Sequence, residues 1–460
     1  MTKSFPFVGR ALGLRALFAK DQAGALLIAF TAATILLRLG GNVVLTRLLD
    51  PQAFGVVGVI VSVMVVLTML SDLGVFDFVI RHERGGERRF LDVIWTIRLG
   101  QAVLQSIVML VAAWPIALFL GKSELAWPIA ATAPLFVVNA LCPMSLLLAQ
   151  RQGRVRATCA VELAALAIQI AANLALSLLL ADYRALVIGL YVSGIARLAL
   201  TLLVIGGGSR LAWDRAQLRE FLGFSRWIIA STIVTLLITQ SDKILFARLF
   251  SVADFGVYML PANLALAFQP FGRNYVERWF FPLVARIWKD SPAALADMFY
   301  AARTWLYLLL FAGLGFGIGC APALFRLLFD HRYEYGWIYL SVLLLRIAFD
   351  LDSFTNIQTV LAMGRTRPML HANLIRLLLF AFTVAALFRA VGPLALPLAL
   401  ALSELGALIY TLALLRRAGL FRAQIHLLYY AMLGAGALVG AGISLLLAPN
   451  VVAAGLAAIG

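Results

Sequence analysis

Long apolar runs separated by short polar loops recur along this entire sequence. A helix that crosses the hydrocarbon core of a bilayer needs about 20 predominantly apolar residues. Hydrophobic residues make up 63% of the 460 residues and charged residues only 13%, whereas ordinary soluble domains contain about 25% charged residues. The sequence therefore excludes a soluble globule and predicts an all-α, polytopic membrane bundle.

The apolar runs divide the chain into about thirteen predicted transmembrane helices, within a range of twelve to fourteen. They cover about residues 24–45, 54–76, 92–120, 125–149, 157–181, 185–206, 226–248, 254–271, 304–326, 336–362, 369–389, 393–415 and 426–448. The last stretch, 451–460, is too short to span, so a fourteenth helix is either incomplete or at the surface. The longest connection, 272–303, interleaves aromatic and basic residues and predicts a pair of interfacial amphipathic helices.

The net charge of +16 reflects an uneven distribution of Lys and Arg between the two sides of the predicted bundle. Most loop Arg and Lys residues, including those of the N-terminal stretch and of 272–303, lie on one side. By the positive-inside rule this side and the N-terminus are cytoplasmic. A nucleic-acid partner is therefore not expected. The three cysteines lie in apolar runs and have no metal-ligand spacing with the histidines, so no metal or cofactor site is expected either.

A short motif recurs at an offset of 201 residues. LTRLLDPQAFGVV begins at Leu45 and FARLFSVADFGVYM begins at Phe246, which aligns Gly55 with Gly256. Six predicted spans separate the copies, so both have the same orientation, which is typical of a parallel repeat with a substrate path between the halves. This predicts six-helix bundles at 1–210 and 211–415, followed by one or more further membrane helices at 416–460. The alternative is two similar helical hairpins without functional symmetry.

Three stretches carry a resemblance to a known family: VVLTRLLDPQAFGVVGVIVSVMVVLTMLSDLGV, SDKILFARLFSVADFGVY and LLAQRQGRVRATCAVELAALAIQIAANLAL. The chain resembles the polysaccharide-transporter family, also called the Wzx-like oligosaccharide flippases. The resemblance implies the multidrug/oligosaccharidyl-lipid/polysaccharide exporter fold, with two bundles around a central cavity. It also implies transfer of undecaprenyl-pyrophosphate-linked oligosaccharides between the leaflets of the bacterial inner membrane. Asp72 belongs to the SDLG motif that matches this family.

Ionisable side chains inside the predicted spans are the candidate functional residues, because a charge in lipid is costly unless it faces a partner or a water-filled path. The predicted substrate path contains Arg38, Asn42, Lys243, Arg346 and Arg376. The predicted coupling or ion-pair residues are Glu162, Arg197, Asp242, Asp350, Asp352 and Glu404. Predicted gating or helix-end residues are Gly55, Asp72, Asp77 and Gly256.

Several pairings remain open from the sequence. Arg346 and Asp350 stand four apart on one helix and are expected to bridge along one face. Asp352 has two alternatives, a pair with Arg376 or a coupling cation. Arg197 is expected to pair with one of two glutamates, Glu162 or Glu404, and Asp242 with Arg38 or Lys243, unless these cations bind a diphosphate.

These features predict a transporter and no enzyme activity: a flippase for a lipid-linked oligosaccharide that works by alternating access. Membrane lipid is an obligatory partner, and a polysaccharide polymerase or glycosyltransferases are possible ones. No ATP-binding motif is recognised, so coupling to an ion gradient or to the membrane potential is expected. One alternative is a multidrug or organic-cation antiporter of the same fold. A membrane polymerase or glycosyltransferase is disfavoured because no loop is long enough for a catalytic domain.

Overall fold

A computed structural model describes residues 22–75, 78–79, 82–365 and 367–451. Within these ranges the regular structure is helical throughout, which confirms the prediction of an all-α membrane bundle. The α-helices are α1 Gln22–Leu48, α2 Pro51–Leu70, α3 Arg88–Leu120, α4 Ala126–Ala131, α5 Pro134–Ala140, α6 Ser145–Arg151, α7 Val155–Leu180, α8 Tyr183–Leu200, α9 Arg215–Thr239, α10 Ser241–Leu249, α11 Val252–Tyr275, α12 Phe281–Asp290, α13 Leu295–Leu328, α14 Gly336–Ala362, α15 Arg367–Val391, α16 Ala395–Arg417 and α17 Ala423–Leu447.

Helical structure lies at each of the thirteen predicted spans. In the described part of the chain, eight helical stretches are long and apolar enough to cross a membrane, and the α15–α16 hairpin counts as one of them. A bent pair of shorter helices raises the number to nine if it forms a single span. The α9–α10 segment, α11 and α14 are not among them because polar and charged residues interrupt their apolar faces. Of these more polar helices, α10, α11 and α14 line the cavity described below together with α15 and α16.

The fourth predicted span, 125–149, is broken rather than continuous. Its two helical parts, Ser123–Ala140 and Ser145–Arg151, meet at 57° around Pro143. Proline removes a backbone donor and cannot continue the helix, so carbonyl groups at the break need other partners. Trp95 Nε1 donates to the carbonyl of Ala140 at 3.0 Å, and Arg98 donates to that of Asn139 at 2.9 Å. The break is therefore satisfied by side chains of α3, as a non-helical segment in a bilayer requires.

The connection 272–303 differs from its prediction. One short amphipathic helix forms, α12, with Arg286 and Lys289 exposed on its polar side. The expected second helix is not separate, because helix α13 begins at Leu295 and runs without interruption into the next span. The helix before it likewise extends to Tyr275. As a result, two arginines assigned to a loop by the sequence, Arg273 and Arg303, lie within long helices.

The chain divides into two compact units. The described residues of 22–48 and 63–233 form the first, and those of 49–62 and 234–451 form the second. The predicted bundle boundaries at residues 210 and 415 stay a prediction. In the second unit, Gly315 and Gly319 of α13 lie directly against the backbone of α17, and Gly436 and Gly440 of α17 lie against α13. Such glycines allow two helix backbones to approach closely.

The two copies of the repeated motif meet within the second unit. A Cβ atom on Gly55 would collide with the carbonyl oxygen of Val252, and one on Gly256 would collide with that of Pro51. Pro51 and Val252 are themselves equivalent at the offset of 201 residues, so the two contacts are copies of each other. A local pseudo-two-fold axis therefore passes between α2 and α11, as in a self-complementary interface. Only glycine leaves room for this crossing.

Candidate functional site

A polar cavity of about 400 Å³ lies inside the second unit, between α10, α11, α14, α15 and α16. Seven charged side chains line it, four cations and three carboxylates. They are Lys243, Arg273, Arg346, Arg376, Asp242, Asp350 and Glu404. So many ionisable groups between membrane-spanning helices mark a pathway or a binding site, because lipid-facing positions exclude them.

One pair of opposite charges crosses the cavity wall between α11 and α14. Arg273 donates to both carboxylate oxygens of Asp350, at 2.7 and 3.2 Å, and Gln269 adds a third bond at 3.1 Å. Two parallel bonds from one guanidinium to one carboxylate make a strong, oriented pair. Asp350 therefore pairs with Arg273, and the predicted Arg346–Asp350 pair is wrong.

A second pair joins α15 to α16. Arg376 donates to Glu404 at 2.7 Å, and its other nitrogens reach Asn373 at 2.9 Å and Ser353 at 3.1 Å. The predicted alternative that Asp352 pairs with Arg376 is therefore wrong, since the guanidinium is held by Glu404. Both side chains are largely buried, at 12% and 5% exposure.

The other two cations of the cavity have no carboxylate partner among the described residues. Lys243 Nζ bonds to the amide oxygen of Gln240 at 3.1 Å. Arg346 Nε is buried and makes no hydrogen bond. A charged donor group left without an acceptor in a buried site costs free energy, which an anionic ligand would recover. Lys243 and Arg346 thus form the anion-attracting part of the cavity.

The remaining carboxylate, Asp242, accepts a hydrogen bond from Tyr258 at 2.6 Å. The tyrosine ring stacks on Phe246 with the ring centres 4.5 Å apart. This packing fixes the carboxylate at the edge of the cavity beside Lys243. Of the two partners predicted for Asp242, Lys243 is a chain neighbour that turns toward Gln240 instead.

The predicted site residues of the first unit lie outside this cavity. On α1 the Arg38 side chain is exposed and Asn42 is half-buried. Arg197 pairs with Glu162 at 2.6 Å, which selects Glu162 from the two predicted partners.

Two predicted residues near the end of α2 have different outcomes. Asp72 accepts a hydrogen bond from the backbone of Gly74 at 2.9 Å, which stabilises the turn after the helix. Asp77 lies outside the described residues.

A second charged cluster in this unit is fully buried and contains two residues that the sequence analysis missed. Asp352 contacts Arg303 of α13 and His426 of α17. Both were overlooked for the same reason: they lie near predicted span ends, where basic residues usually mark topology. The spacing of Gln269 and Arg273, four apart along an extended α11, is the signal that could have revealed the missed cavity residue Arg273.

Comparison with known proteins supports the membrane transporter fold. Residues 44–335 match the family model described as polysaccharide biosynthesis protein. The succinoglycan biosynthesis transport protein ExoT of Rhizobium meliloti is 24% identical over 311 residues, which cover 66% of this chain and 61% of that protein. The chain thus spans less than two thirds of the length of this relative.

Two solved structures have the same fold at low sequence identity. The lipid II flippase MurJ, in an inward closed conformation, aligns with a TM-score of 0.69 at 12% identity, covering 94% of this chain and 97% of that chain. An inward-facing multidrug resistance MATE family transporter of the MOP superfamily aligns with a TM-score of 0.57 at 15% identity, covering 84% and 94%. These matches confirm the predicted fold class and show a multi-pass membrane protein.

Proposed function

Because the chain belongs to the polysaccharide biosynthesis protein family, we propose that it is a flippase for a polyprenyl-pyrophosphate-linked oligosaccharide. It acts in the bacterial cytoplasmic membrane, with its N-terminus in the cytoplasm, and serves the synthesis of exopolysaccharide, O-antigen or capsule. A polymerase and glycosyltransferases are its proposed functional partners. The names of the similar proteins, a succinoglycan transport protein and a lipid II flippase, support this substrate class.

The observation that carries the proposal is the imbalance of charge in the cavity. Arg273 and Arg376 are neutralised by carboxylates, whereas Lys243 and Arg346 are not. A diphosphate esterified at both ends presents several oxygens with two negative charges, and arginine and lysine are the side chains suited to bind it. The glycan then occupies the aqueous part of the path while the polyprenyl chain stays in lipid.

Alternating access requires one part of the path to close while the other opens. The crossing of α2 and α11 at Gly55 and Gly256 is our proposed closure point, since two backbones in contact leave no space between them. Asp72 holds the other end of α2 through its bond to the backbone. In this proposal Arg38 and Asn42 of α1 line the part of the path formed by the first unit.

The test is transfer of a lipid-linked oligosaccharide between leaflets of vesicles containing the purified protein. We expect Lys243→Glu and Arg346→Gln to slow transfer by about 10- to 100-fold, because each removes a charged hydrogen bond worth about 1.5–3 kcal/mol. The matched control is Arg286→Gln, which removes an exposed arginine of α12 that pairs with Asp290 in the same helix.

Transfer at the wild-type rate in both cavity variants would remove this cavity from the path. Absence of transfer by the wild-type protein, across several lipid-linked sugars, would contradict the flippase function itself. Equal slowing by the control would show that the effect is a general loss of surface charge.

An organic-cation antiporter is the second candidate, and Asp242 is the observation that favours it. Its carboxylate faces the cavity and bonds to the neutral hydroxyl of Tyr258, so it could attract a cation. Drug export that requires Asp242 but tolerates loss of Lys243 and Arg346 would support this function. A flippase gives the opposite pattern.

A further inference from the structure

Three ionisable side chains from three helices form a dry cluster beside the cavity. Arg303 of α13 and Asp352 of α14 have no exposed surface, and His426 of α17 is 4% exposed. An arginine and an aspartate alone would neutralise each other in this place. The histidine adds a group that can bind a proton.

The contacts define the protonation state of His426. Arg303 approaches its Nε2 at 3.1 Å, and Asp352 lies 3.0 Å from its Nδ1. A guanidinium is always charged and can only donate hydrogen bonds, so Nε2 must accept. The ring is therefore neutral, with its one proton on Nδ1, where it donates to the carboxylate of Asp352.

The surroundings contain few other groups able to take up a proton. Tyr300, Tyr307 and Tyr429 place their rings 5.0 to 5.4 Å from the charged carbon of Arg303. Phenols are neutral near pH 7, and the amide of Asn356, which accepts from Arg303 at 3.1 Å, does not titrate. Among the described residues, the charged groups that contact the histidine from α13 and α14 are Arg303 and Asp352. The hydroxyl of Tyr300 on α13 also lies 3.3 Å from its Nε2, and Tyr429 approaches from its own helix with the ring centres 5.8 Å apart. Arg422, just before α17, reaches this group through Tyr300, because its backbone nitrogen donates to the tyrosine hydroxyl at 2.9 Å.

We propose that His426 is a proton-binding site that couples transport to the proton gradient, an inference that rests on the proposed flippase function. The proton adds to Nε2 and takes the place of the hydrogen bond from Arg303. The cluster then carries two cations and one anion where it carried one of each. A dry site cannot hold this excess charge, so Arg303 must move or water must enter.

Helix α14 connects this event to the cavity. Asp352 faces the dry cluster, whereas Asp350, two residues earlier, pairs with Arg273 at the cavity. Ser353, the next residue along α14, accepts a hydrogen bond from Arg376. Asn356, one turn after Asp352, contacts Thr411 of α16. A shift of α14 that follows protonation therefore disturbs both ion pairs of the cavity wall.

The tight packing of α13 against α17 should restrict the movement that follows protonation to a switch between two arrangements of these helices. Their backbones touch at Gly315, Gly319, Gly436 and Gly440, on the part of the helices away from Arg303 and His426. Movement at the cluster must therefore pivot about this contact or break it. Packed interfaces of this kind switch between arrangements and do not deform gradually.

The direct test follows the charge of His426 itself. The sequence contains four histidines, so a variant with H82N, H331N and H371N leaves His426 as the single one. With ¹⁵N-labelled histidine in lipid nanodiscs, NMR should show a neutral ring protonated on Nδ1 at high pH. On acidification it should become charged, with hydrogen exchange of α13 and α17 rising in parallel.

The second test uses transport in vesicles that carry a pH gradient. For one coupled proton, a gradient of one pH unit should change the steady-state distribution of lipid-linked oligosaccharide by about tenfold. H426N keeps a donor toward Asp352 but cannot be protonated, so it should bind substrate and lose this response. H371N, which removes a histidine bonded to Tyr410 on an exposed surface, is the matched control and should keep it.

A ring that keeps one charge state on acidification would overturn the proposal, as would an H426N variant with the wild-type response to the gradient. Should H426N fail to fold, the NMR titration decides alone, because it leaves the cluster intact. If the wild-type protein transfers no lipid-linked sugar while His426 titrates and α13 and α17 open, the proton site stands and the flippase function is wrong.

Discussion

Helix α14 carries two charged clusters that differ in burial and in charge balance. On one side, the cavity holds four cations and three carboxylates in about 400 Å³ of open space. On the other side, the positive charge of Arg303 faces the negative charge of Asp352, and both side chains are fully buried. In these two clusters, the excess charge lies where a ligand or water has room to compensate it, and the buried cluster has one cation and one anion. The same residue types are thus found in an open cavity in one place and in a fully buried cluster in the other.

The largest effect is expected at the dry cluster. Asp352→Ala leaves Arg303 buried without a carboxylate, which typically costs about 3–5 kcal/mol of stability. Thermal unfolding of the purified protein in detergent should show a large downward shift of the midpoint. The control is Asp290→Ala, which removes the exposed partner of Arg286 and should leave the midpoint unchanged. Equal midpoints for both variants would mean that the cluster is hydrated, and the contrast between the two sides of α14 would fail.

A smaller effect is expected where packing acts without charge. Gly256→Ala inserts a methyl group against the carbonyl of Pro51, and such overpacking costs about 1–3 kcal/mol. Gly55→Ala should cost the same, because its contact is the symmetric copy. The control is Gly40→Ala, at a position with open space around it. Unequal midpoints for the two crossing variants would contradict the local symmetry.

A third charged cluster, in the loop between α13 and α14, provides the water-exposed reference. Burial raises the pKa of Asp330, but hydrogen bonds from the backbone and side chain of Arg332 outweigh it, so the pKa lies below its ordinary value. The carboxylate therefore stabilises the fold above the unfolded pKa of about 3.9, and this contribution is lost as the pH falls through the folded pKa.

The effect at this loop should not exceed about 1 kcal/mol, as for other exposed pairs. Asp330→Asn should lower the unfolding midpoint slightly at neutral pH, and the difference from the wild type should disappear as the pH falls below the folded pKa of Asp330. A large loss at neutral pH would show that the loop is shielded from water, which would place it with the dry cluster.

The smallest effect on stability is expected at Arg346. Arg346→Gln removes a cation that has no carboxylate partner among the described residues, so no opposite charge is left behind there, and the free energy of unfolding should change by less than about 0.5 kcal/mol. Transfer of substrate should nevertheless fall strongly. If the variant instead loses stability in proportion to activity, Arg346 supports the fold and is not a binding residue.

The positions of the spans follow from the sequence because the thickness of a bilayer dictates the length of each apolar run. The break at Pro143 was not predicted, since its compensation comes from Trp95 and Arg98 of another helix. The second interfacial helix was wrongly predicted because the sequence does not show where a surface segment joins a span. Polar residues at the start of α13 resemble a surface helix, although that segment continues directly into a span.

Pairing among charges could be predicted only in part. Arg346 and Asp350 have the spacing of a helical ion pair, but Arg273 offers two parallel bonds from a neighbouring helix and takes the carboxylate. Periodicity along one helix gives no information on which arginine of another helix lies opposite. The dry cluster illustrates the same limit, because Arg303, Asp352 and His426 are brought together by tertiary packing of distant segments.

At the crossing of α2 and α11, Gly55 and Gly256 limit which substitutions each copy of the motif tolerates. The two glycines occupy equivalent positions and contact the same crossing, so a side chain added at either one would disrupt it. Both positions must therefore be glycine, whereas residues away from the axis can be substituted independently of each other. The match at the offset of 201 residues therefore includes both glycines, at the place where a substitution in one copy disturbs the backbone of the other.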